Sequence, residues 1–373
     1  MKKKIMLYAQ EGTGLGHLMR LIKIASGFSS NVEPLIVTGH QATAEVIFPN
    51  IKYFLLPSFY ERMKAGVSKE KATKEQSDIL WALIHKFQPD AFINDYLPLG
   101  KRREIEPIVS NYNCKKYFIL RSYIGGYLLT HRDVFSKRNL FYLNKKYDRI
   151  FIASDKKIFN GKEYSWLPVE IQKKMVYSGF TVMNVTDEEV EMTRKKYLPF
   201  GYKNWFVCSI GGGRIGSELL KDCIVLAKDK RFADDYFDVV LGNYNPLSKE
   251  IIGQYKSKNV RISNCINSLY LFHAAADSVI CCGGYNTLLE AMKGKRKLVY
   301  SKSVRNDAID DEQTTNIRML SKYYDIYHIN KTKHLNDYVW NSQCSYNQTL
   351  YETLDMNGIR NICSFIEKDL SFS

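Results

Sequence analysis

Three glycine-containing loops carry the residues of this sequence that are best suited to chemistry. The first, residues 10–20, reads QEGTGLGHLMR and stands between an apolar run and a helical pattern. Glycines let backbone amides approach a phosphate, and a helix N-terminus adds partial positive charge there. His17 stands in the predicted first helical turn, where its ordinary pKa of about 6.5 suits a general base. The alternative role is structural, with His17 capping its own helix.

The second loop, residues 209–217, reads SIGGGRIGS and contains Gly212, Gly213 and Arg214. Glycine loses more conformational freedom on folding than any other residue, which favours a backbone that curls closely around a ligand. A guanidinium group binds phosphate oxygens through two parallel hydrogen bonds. The loop therefore predicts a turn that binds a diphosphate.

The third loop, residues 282–291, reads CGGYNTLLEA and has two interpretations. Glu290 could bind the vicinal hydroxyls of a ribose, because a carboxylate accepts hydrogen bonds from both. Alternatively, Thr287 and Glu290 have the spacing of a capping box, in which both side chains bind amides at a helix start. Farther along the chain, DDEQ at residues 310–313 precedes another helical pattern, where carboxylates are ordinary complements of the helix dipole.

Two common nucleotide-binding motifs do not fit these loops. Residues 12–16 have the spacing G-x-G-x-G, whereas the dinucleotide fingerprint is G-x-G-x-x-G with an acidic residue after the second strand. Thr38 and Gly39 stand at that second position. No glycine loop contains Gly-Lys-Ser or Gly-Lys-Thr, which excludes a P-loop.

The elements that must position these loops follow from the hydrophobic pattern. Short apolar runs alternate with longer amphipathic stretches, which is typical of α/β layers around parallel sheets. Each half of the chain resembles one Rossmann-like unit, with a linker near Ser178–Asn184. Helices are expected at Leu18–Gly27 and Ser77–Phe87. The predicted strands are Ile5–Ala9, Pro34–Thr38, Ala91–Asn94, Tyr117–Leu120 and Arg149–Ala153 in the first half, and Trp205–Ile210, Phe237–Leu241, Val260–Ile262, Ser278–Cys282 and Leu298–Tyr300 in the second.

Composition excludes several classes of protein. With 45% hydrophobic and 25% charged residues, the 373-residue chain is neither disordered nor collagen-like. No apolar run approaches the roughly 20 residues that span a bilayer, and Ile5–Ala9 is too short for a signal peptide. The eight cysteines form no Cys-x-x-Cys pair and have no metal-ligand spacing with histidine. These features predict a cytoplasmic protein with buried thiols and no metal.

The net charge of +15 is concentrated in the first half of the chain. Residues 1–178 carry 29 basic and 16 acidic side chains, whereas residues 179–373 carry 25 and 23. A basic first half suits an anionic membrane surface, a phosphorylated acceptor or nucleic acid, although scattered solvated lysines explain it equally well. No RNA-binding motif is present, so specific nucleic-acid binding is not expected. A basic, non-catalytic protein that binds nucleic acid or membrane is the alternative from a different functional class.

Together, and in this order, the loops resemble glycosyltransferases of the GT-B fold. The resemblance is to the UDP-sugar group that contains glycolipid synthases and the peptidoglycan enzyme that adds N-acetylglucosamine to lipid I. The matching motifs are a glycine-histidine loop at residues 12–17, a linker at 178–182, donor loops at 211–216 and 283–290, and an acidic element at 310–313. The resemblance covers most of the chain and implies an α/β, GT-B architecture of two Rossmann-like domains facing a central cleft.

The resemblance also implies a function, which is metal-independent, inverting transfer of a sugar from a nucleotide-diphosphate sugar to an acceptor hydroxyl. UDP is the expected nucleotide, no separate cofactor is implied, and the pathway would be cell-envelope, polysaccharide or glycolipid biosynthesis. Residues 1–178 would bind the acceptor and residues 179–356 the donor. A helix within 357–373 would pack back on the first domain. His17 would deprotonate the acceptor hydroxyl.

Family positions assign the donor contacts residue by residue, for the phosphates, base, ribose and sugar. The family often has glutamine where Glu312 stands and serine where Arg214 stands, so the phosphate role of Arg214 follows from its chemistry alone. The implied donor-binding residues are Gly14, Gly16, Gly212, Gly213, Arg214, Cys265, Ile266, Gly283, Gly284, Tyr285, Asn286, Thr287, Glu290, Glu312 and Gln313.

Candidates for the acceptor side follow strands of the first half. Asp95 stands after a predicted strand and is a second catalytic candidate, with a loop cap as the alternative. Arg20 and Arg121 are candidates for binding an anionic acceptor. Residues 123–129, which have basic residues nearby, are expected to touch a membrane, on the inner face of the plasma membrane.

Two enzyme alternatives remain within the same fold. Residues 14–20 are also similar to a loop of the nucleotide-sugar hydrolases of nonulosonic acid pathways, in which a histidine activates water instead of an alcohol. Those hydrolases are shorter than this chain. A sugar-nucleotide 2-epimerase is the other alternative, although the catalytic carboxylates usual in those enzymes are not evident in this sequence.

Overall fold

The computed structural model describes residues 2–12, 14–121, 132–159, 164–212, 216–244, 257–301, 312–329 and 351–371, and the structural statements below concern these residues. The chain divides into two compact units. The first unit comprises residues 1–12, 17–181 and 355–373, and the second comprises residues 13–16 and 182–354.

Strands alternate with helices along the described part of the chain. The strands are β1 (Lys3–Ala9), β2 (Val32–Thr38), β3 (Lys52–Leu55), β4 (Ala91–Asp95), β5 (Lys115–Arg121), β6 (Arg149–Ala153), β7 (Met175–Tyr177), β8 (Asn204–Ser209), β9 (Asp235–Val240), β10 (Val260–Ser263), β11 (Ser278–Cys281), β12 (Lys297–Ser301) and β13 (Ile326–Ile329).

Helices connect the strands and cover the sheets. They are α1 (Gly16–Ser26), α2 (Thr43–Val46), α3 (Phe59–Lys64), α4 (Lys69–Phe87), α5 (Glu106–Asn111), α6 (Lys137–Lys146), α7 (Val169–Gln172), α8 (Asp187–Tyr197), α9 (Ser217–Leu226), α10 (Leu269–Ala275), α11 (Tyr285–Lys293), α12 (Glu312–Leu320) and α13 (Gly358–Ser371).

Each unit is built on one parallel sheet. The first sheet has the order β3-β2-β1-β4-β5-β6-β7, and the second has the order β10-β9-β8-β11-β12-β13. All of the recorded strand pairs are parallel, with Tyr8 beside Val37 on one side and Asn94 on the other. The central strands are almost wholly buried, as expected for parallel sheets covered by helices on both faces.

The ten strands expected from the hydrophobic pattern are all present in the described residues, with ends that differ by at most two residues. The pattern did not reveal β3, β7 or β13. In β3 all four residues are exposed, and β7 has only three residues, so neither shows the apolar run of a buried strand. Helix α4 begins eight residues before the predicted Ser77, at a cap in which Ser68 accepts a hydrogen bond from the Lys71 amide.

The C-terminal helix α13 packs on the first unit. The Cys363 thiol donates to the backbone oxygen of Ile24 over 3.2 Å. The Tyr117 hydroxyl donates to Asp369 over 2.6 Å, next to an ion pair of Lys115 with the same carboxylate. The chain therefore leaves the first unit near Thr181 and returns to it at Asp355.

Candidate active site

In each sheet the strand order reverses once. The glycine loops predicted from the sequence lie at these reversals. In the first unit the reversal falls between β1 and β4, and in the second between β8 and β11. Adjacent strands at such a point send their connections to opposite faces, which opens a crevice at the carboxyl ends of the strands. His17 follows the end of β1, and Asp95 is the last residue of β4.

Helix α1 begins at Gly16 and brings His17 and Arg20 onto one turn next to Asp95. The His17 Nδ1 lies 3.3 Å from Asp95 Oδ2, and Arg20 Nη1 donates to the same oxygen over 2.6 Å. The side chains of Arg20 and Asp95 are fully buried, whereas that of His17 is 11% exposed. His17 is therefore the member of this group that solvent reaches.

The electrostatic setting keeps His17 neutral and Asp95 charged. Burial lowers the pKa of His17 below its ordinary 6.5, because it outweighs the opposing effect of Asp95, and Arg121 and Arg20 lower it further. Burial alone would raise the pKa of Asp95, but the positive charge of Arg20, the electrostatic interaction and hydrogen bond with His17, and the positive charge of Arg121 more than offset it, and the pKa is lowered. Since an ionised Asp95 only accepts hydrogen bonds, Nδ1 of His17 carries the proton and donates it. The lone pair then lies on Nε2.

Tyr96 completes the surroundings of His17. Its ring centroid lies 4.6 Å from that of His17, at an angle of 31° between the planes. The Arg121 guanidinium lies 5.7 Å from the Tyr96 ring centroid. Tyr96 has a φ of 83°, a left-handed conformation that is an outlier for a bulky residue and is typical of functional sites. Sequence reasoning missed Tyr96, although its position directly after Asp95 was a signal for it.

These contacts disagree with two roles considered above, helix capping by His17 and acceptor binding by Arg20. The ring of His17 bonds Asp95 on β4, so the helix-capping role is not the one it takes. Arg20, proposed above as an acceptor contact, has no exposed surface and bonds Asp95 from inside the unit. Arg121 is half-buried and stays a candidate for contact with an acceptor.

The glycine loops of the second unit have conformations that other residues adopt only with strain. Gly211, Gly216 and Gly283 have φ values of 68°, 102° and 78°. A Cβ on Gly216 would lie 2.7 Å from Cys282 Sγ, so the turns after β8 and β11 approach closely. In contrast, a Cβ on Gly284 would meet nothing within 4 Å, which leaves open space in front of helix α11.

Helix α11 begins at this open space without a side-chain cap. Its N-cap residue is Gly284, and no side chain caps it. The first amides of a helix lack partners inside the helix and form a favourable site for an anion. Thr287 is the third residue of the helix, so the capping box considered above is wrong: Thr287 is not at the N-cap.

Glu290 takes part in a buried chain of hydrogen bonds that sequence reasoning missed. Its Oε2 lies 2.6 Å from His273 Nδ1, and His273 Nε2 lies 3.1 Å from the hydroxyl of Ser209. Ser209 ends β8, His273 lies in α10 and Glu290 lies in α11. These residues are 17 and 64 positions apart and belong to three elements, so no local spacing could have revealed the chain.

The remaining predicted donor residues are distributed as follows. Cys265 and Ile266 are half-buried after the carboxyl end of β10, and Gln313 is half-buried in the first turn of α12. Tyr285 is buried and Asn286 half-buried in the first turn of α11. Gly212 lies in a turn after β8, and Gly14 and Gly16 have open space where a Cβ would stand. Gly213, Arg214, the side chain of Glu312 and residues 123–129 lie outside the described part of the chain.

No group of three or more metal-ligating side chains occurs in the part of the chain that the structure describes. The seven cysteines within the described ranges are all free, and Cys344 lies outside them. Burial raises the pKa of the Cys281 and Cys282 thiols to about 12, so both are protonated at neutral pH. Among the described helices, none is long and apolar enough to cross a membrane.

Comparison with known proteins identifies the fold. No protein-family model matches the chain, and no curated protein sequence is similar to it. Solved structures do match over nearly the whole chain. The glycosyltransferase of kitacinnamycin is 12% identical over 99% of this chain and 100% of its own, with a TM-score of 0.61. The calicheamicin glycosyltransferase CalG4 is 13% identical over 100% and 99%, with a TM-score of 0.59.

Epimerases match this chain as well as the transferases do. UDP-GlcNAc 2-epimerase of Methanocaldococcus jannaschii, in complex with UDP-GlcNAc and UDP, is 12% identical over 99% of this chain and 100% of its own, with a TM-score of 0.62. The expectation of the GT-B fold, α/β with two parallel sheets, is therefore confirmed. Identities this low establish the fold and leave the reaction to be argued from the site.

Burial and the neighbouring charges together set the pKa of His17. We expect His17 to titrate below 6.5 in the native protein, since burial disfavours imidazolium. Asp95→Asn should lower this pKa further, because a nearby negative charge is lost, and Arg121→Gln should raise it, because a positive one is lost. NMR titration of the imidazole resonances, assigned with His17→Gln, measures both shifts. Shifts of the same sign in the two variants would contradict this account.

Proposed function

We propose that the protein is an inverting glycosyltransferase that uses a nucleotide-diphosphate sugar, with UDP as the expected nucleotide. The proposal rests above all on the pairing of His17 with Asp95 at the strand-order reversal of the first sheet. A neutral imidazole with Nδ1 bonded to a buried carboxylate has the arrangement of a general base. Two solved structures of the same fold, in complex with UDP-2-fluoro-glucose and with UDP, support the same proposal.

In the proposed reaction His17 Nε2 accepts the proton of an acceptor hydroxyl. The oxygen attacks the anomeric carbon of the donor sugar as the bond from that carbon to the diphosphate breaks. The electron pair of that bond leaves with the nucleoside diphosphate, and the configuration at the anomeric carbon inverts. Asp95 stabilises the imidazolium that forms, and Arg20 keeps Asp95 ionised and fixed in place.

The donor is assigned to the second unit, on the strength of its glycine turns and the start of α11. The amides at the start of α11 are suited to the charge of the leaving diphosphate. Gly211, Gly216 and Gly283 allow the backbone to turn tightly beside it. Glu290, freed from the capping role, is assigned to the ribose hydroxyls.

Hydrolysis of a nucleotide sugar is the second candidate, because the same histidine could activate water. The identity of the nucleophile is decided by what occupies the surroundings of His17, and Arg121 beside Tyr96 favours an anionic acceptor over bulk water. A 2-epimerase remains the third, on fold alone. Assays with and without acceptor alcohols distinguish the three, since transfer, release of free sugar and epimerised donor give different products.

Donor binding is tested first, with a thermal-shift panel of UDP, GDP, CDP and dTDP and their common sugars. A ligand at about 100 times its dissociation constant stabilises the folded state by roughly 2.7 kcal/mol, which shifts the unfolding temperature by a few degrees. We expect one nucleoside diphosphate, UDP, to give the largest shift. If no nucleotide or nucleotide sugar shifts the unfolding temperature of the folded protein, the donor proposal is wrong.

Catalysis is tested with His17→Ala. Loss of the base should lower the transfer rate by about 10²- to 10⁴-fold and leave the nucleotide-induced thermal shift unchanged. In the native protein the rate should fall as the pH drops through the lowered pKa of His17, because imidazolium cannot accept a proton. His85→Ala, on the exposed side of α4, is the matched control and should retain full activity. Full activity in His17→Ala would remove this residue from the mechanism.

We also propose that the first unit contacts an anionic membrane, through a groove of about 480 Å³ beside α4. The groove is lined by the apolar residues Phe54, Ile79, Ala82, Leu83 and Phe87 and by the charged residues Lys4, Lys86 and Glu33. Glu33 is paired with Lys52 over 2.7 Å.

The chemistry of the groove suits this assignment. On the neighbouring edge strand β3, Tyr53, Phe54 and Leu55 are each 36% to 40% exposed. An apolar surface with lysines around it fits anionic lipid, to which each lysine contributes about 1 kcal/mol of attraction. The charge of the first half argues against a second copy of the same basic surface as the occupant. This contact would locate the enzyme on the inner face of the plasma membrane.

Flotation with vesicles tests the membrane contact. The native protein should float with phosphatidylglycerol vesicles and not with phosphatidylcholine vesicles. The double variant Phe54→Ser/Lys86→Glu should reduce the bound fraction at least about fivefold, since it removes an apolar contact and reverses a charge. Phe200→Ser, fully exposed in the second unit, is the control and should bind as the native protein does. Equal binding to both kinds of vesicle would exclude an electrostatic contact.

A further inference from the structure

In the second unit Ser209, His273 and Glu290 are linked by hydrogen bonds in the same order as the groups of a hydrolytic triad. The end of this hydrogen-bonded chain that is more exposed to solvent is, however, the opposite one. In a triad the serine meets the substrate and the carboxylate lies deepest. Here Ser209 and His273 are each 1% exposed, and the side chain of Glu290 is 8% exposed. The working end of the chain is therefore the carboxylate, and Ser209 is not a nucleophile that a substrate could reach.

The direction of the hydrogen bonds is consistent with this order. An ionised Glu290 accepts hydrogen bonds and donates none, so His273 Nδ1 carries a proton and donates it over 2.6 Å. In a neutral imidazole Nε2 is then an acceptor, and the Ser209 hydroxyl donates to it over 3.1 Å. Ser209 thus fixes the orientation of the His273 ring, and the ring fixes the carboxylate.

The chain lies where a nucleotide is expected. Ser209 is the last residue of β8, directly before the glycine turn, and Glu290 lies on α11, one turn and a half after its open N-terminus. Buried polar side chains disfavour folding unless each is hydrogen-bonded, and apolar residues of similar size would fill the same space without that requirement. The polar chain is therefore explained better by a task for Glu290 than by packing.

We propose that His273 is a positioning residue that holds the Glu290 carboxylate in the orientation that binds the ribose hydroxyls of the donor nucleotide. The inference rests on the proposed function, in which Glu290 contacts the ribose. The further point is that the contact between Glu290 and the ribose depends on His273 and on Ser209, which bonds the other side of the His273 ring. A carboxylate with a fixed orientation loses no rotamer freedom when it binds, and this strengthens its bond to the ligand.

The test measures discrimination between ribose and deoxyribose. Affinities are determined by calorimetry for the nucleoside diphosphate that stabilises the protein most, expected to be UDP, and for its 2′-deoxy counterpart. The native protein should prefer the ribonucleotide by about 10- to 100-fold, the usual effect of one hydrogen bond to a charged group. Glu290→Gln is the reference and should reduce this preference to a few-fold or less. Such a ratio is insensitive to a general loss of stability, which weakens both ligands alike.

The variants of the chain should fall in a defined order. His273→Phe removes the donor to Glu290 and should abolish the preference as Glu290→Gln does. His273→Asn retains an amide that can donate to Glu290 and should restore most of the preference. Ser209→Ala removes only the bond to His273 Nε2, the one farthest from Glu290, and should reduce the preference several-fold. This small substitution, together with His273→Asn, provides the test should His273→Phe fail to fold.

The outcomes separate the inference from the proposal on which it rests. If Glu290→Gln abolishes the preference while His273→Phe and Ser209→Ala keep the native ratio, the positioning role of His273 is wrong and the ribose contact stands. If Glu290→Gln binds both nucleotides with the native ratio, the ribose contact itself is wrong. A native protein that binds no nucleoside diphosphate would overturn both.

Discussion

A buried carboxylate is strongly destabilising unless it is paired and hydrogen-bonded, and this constraint organises the candidate site in each unit. Asp95 is fully buried and is balanced by Arg20 and His17. Glu290 is nearly buried and is bonded to His273. In both cases a carboxylate at a strand-order reversal is tied to a histidine on a neighbouring element. The partners that make these carboxylates tolerable also fix their direction.

The two carboxylate–histidine pairs differ in which member faces outward, and the difference separates their roles. In the first unit the histidine is the more exposed member, so a proton can pass between it and a bound hydroxyl while Asp95 stays behind it. In the second unit the carboxylate is the more exposed member, and the histidine is the support. The same chemical pair is therefore suited to proton transfer in one place and to binding in the other, and exposure alone distinguishes them.

Much of the fold followed from the sequence because the central strands are continuous apolar runs followed by glycine loops. The edge strand β3 was not predicted, because its four residues are exposed and its apolar side chains lie on the surface instead of in a core. His17 and Asp95 were expected as separate candidates, but their contact joins residues 78 positions apart. Arg20 shows the limit of helical spacing: it lies one turn from His17, yet its side chain points into the unit. The spacing of two residues along a helix shows that they lie on neighbouring turns. Which of the two side chains is exposed to solvent depends on how the helix packs.

The fold itself does not choose among transfer, hydrolysis and epimerisation, since solved enzymes with this architecture include both glycosyltransferases and UDP-GlcNAc 2-epimerases. All three reactions begin with a bound nucleotide sugar. In transfer and hydrolysis a hydroxyl attacks the anomeric carbon, whereas a 2-epimerase inverts the neighbouring C2. If His17 is the base, as proposed, the choice between transfer and hydrolysis depends on its surroundings, because a neutral imidazole would activate whichever hydroxyl lies next to Nε2. Tyr96, held in a strained conformation against that ring, and Arg121 beside it are the side chains that limit this approach. In the proposed reaction, specificity for the acceptor would therefore depend on residues at the carboxyl ends of β4 and β5, and specificity for the donor on those that follow β8 and β11.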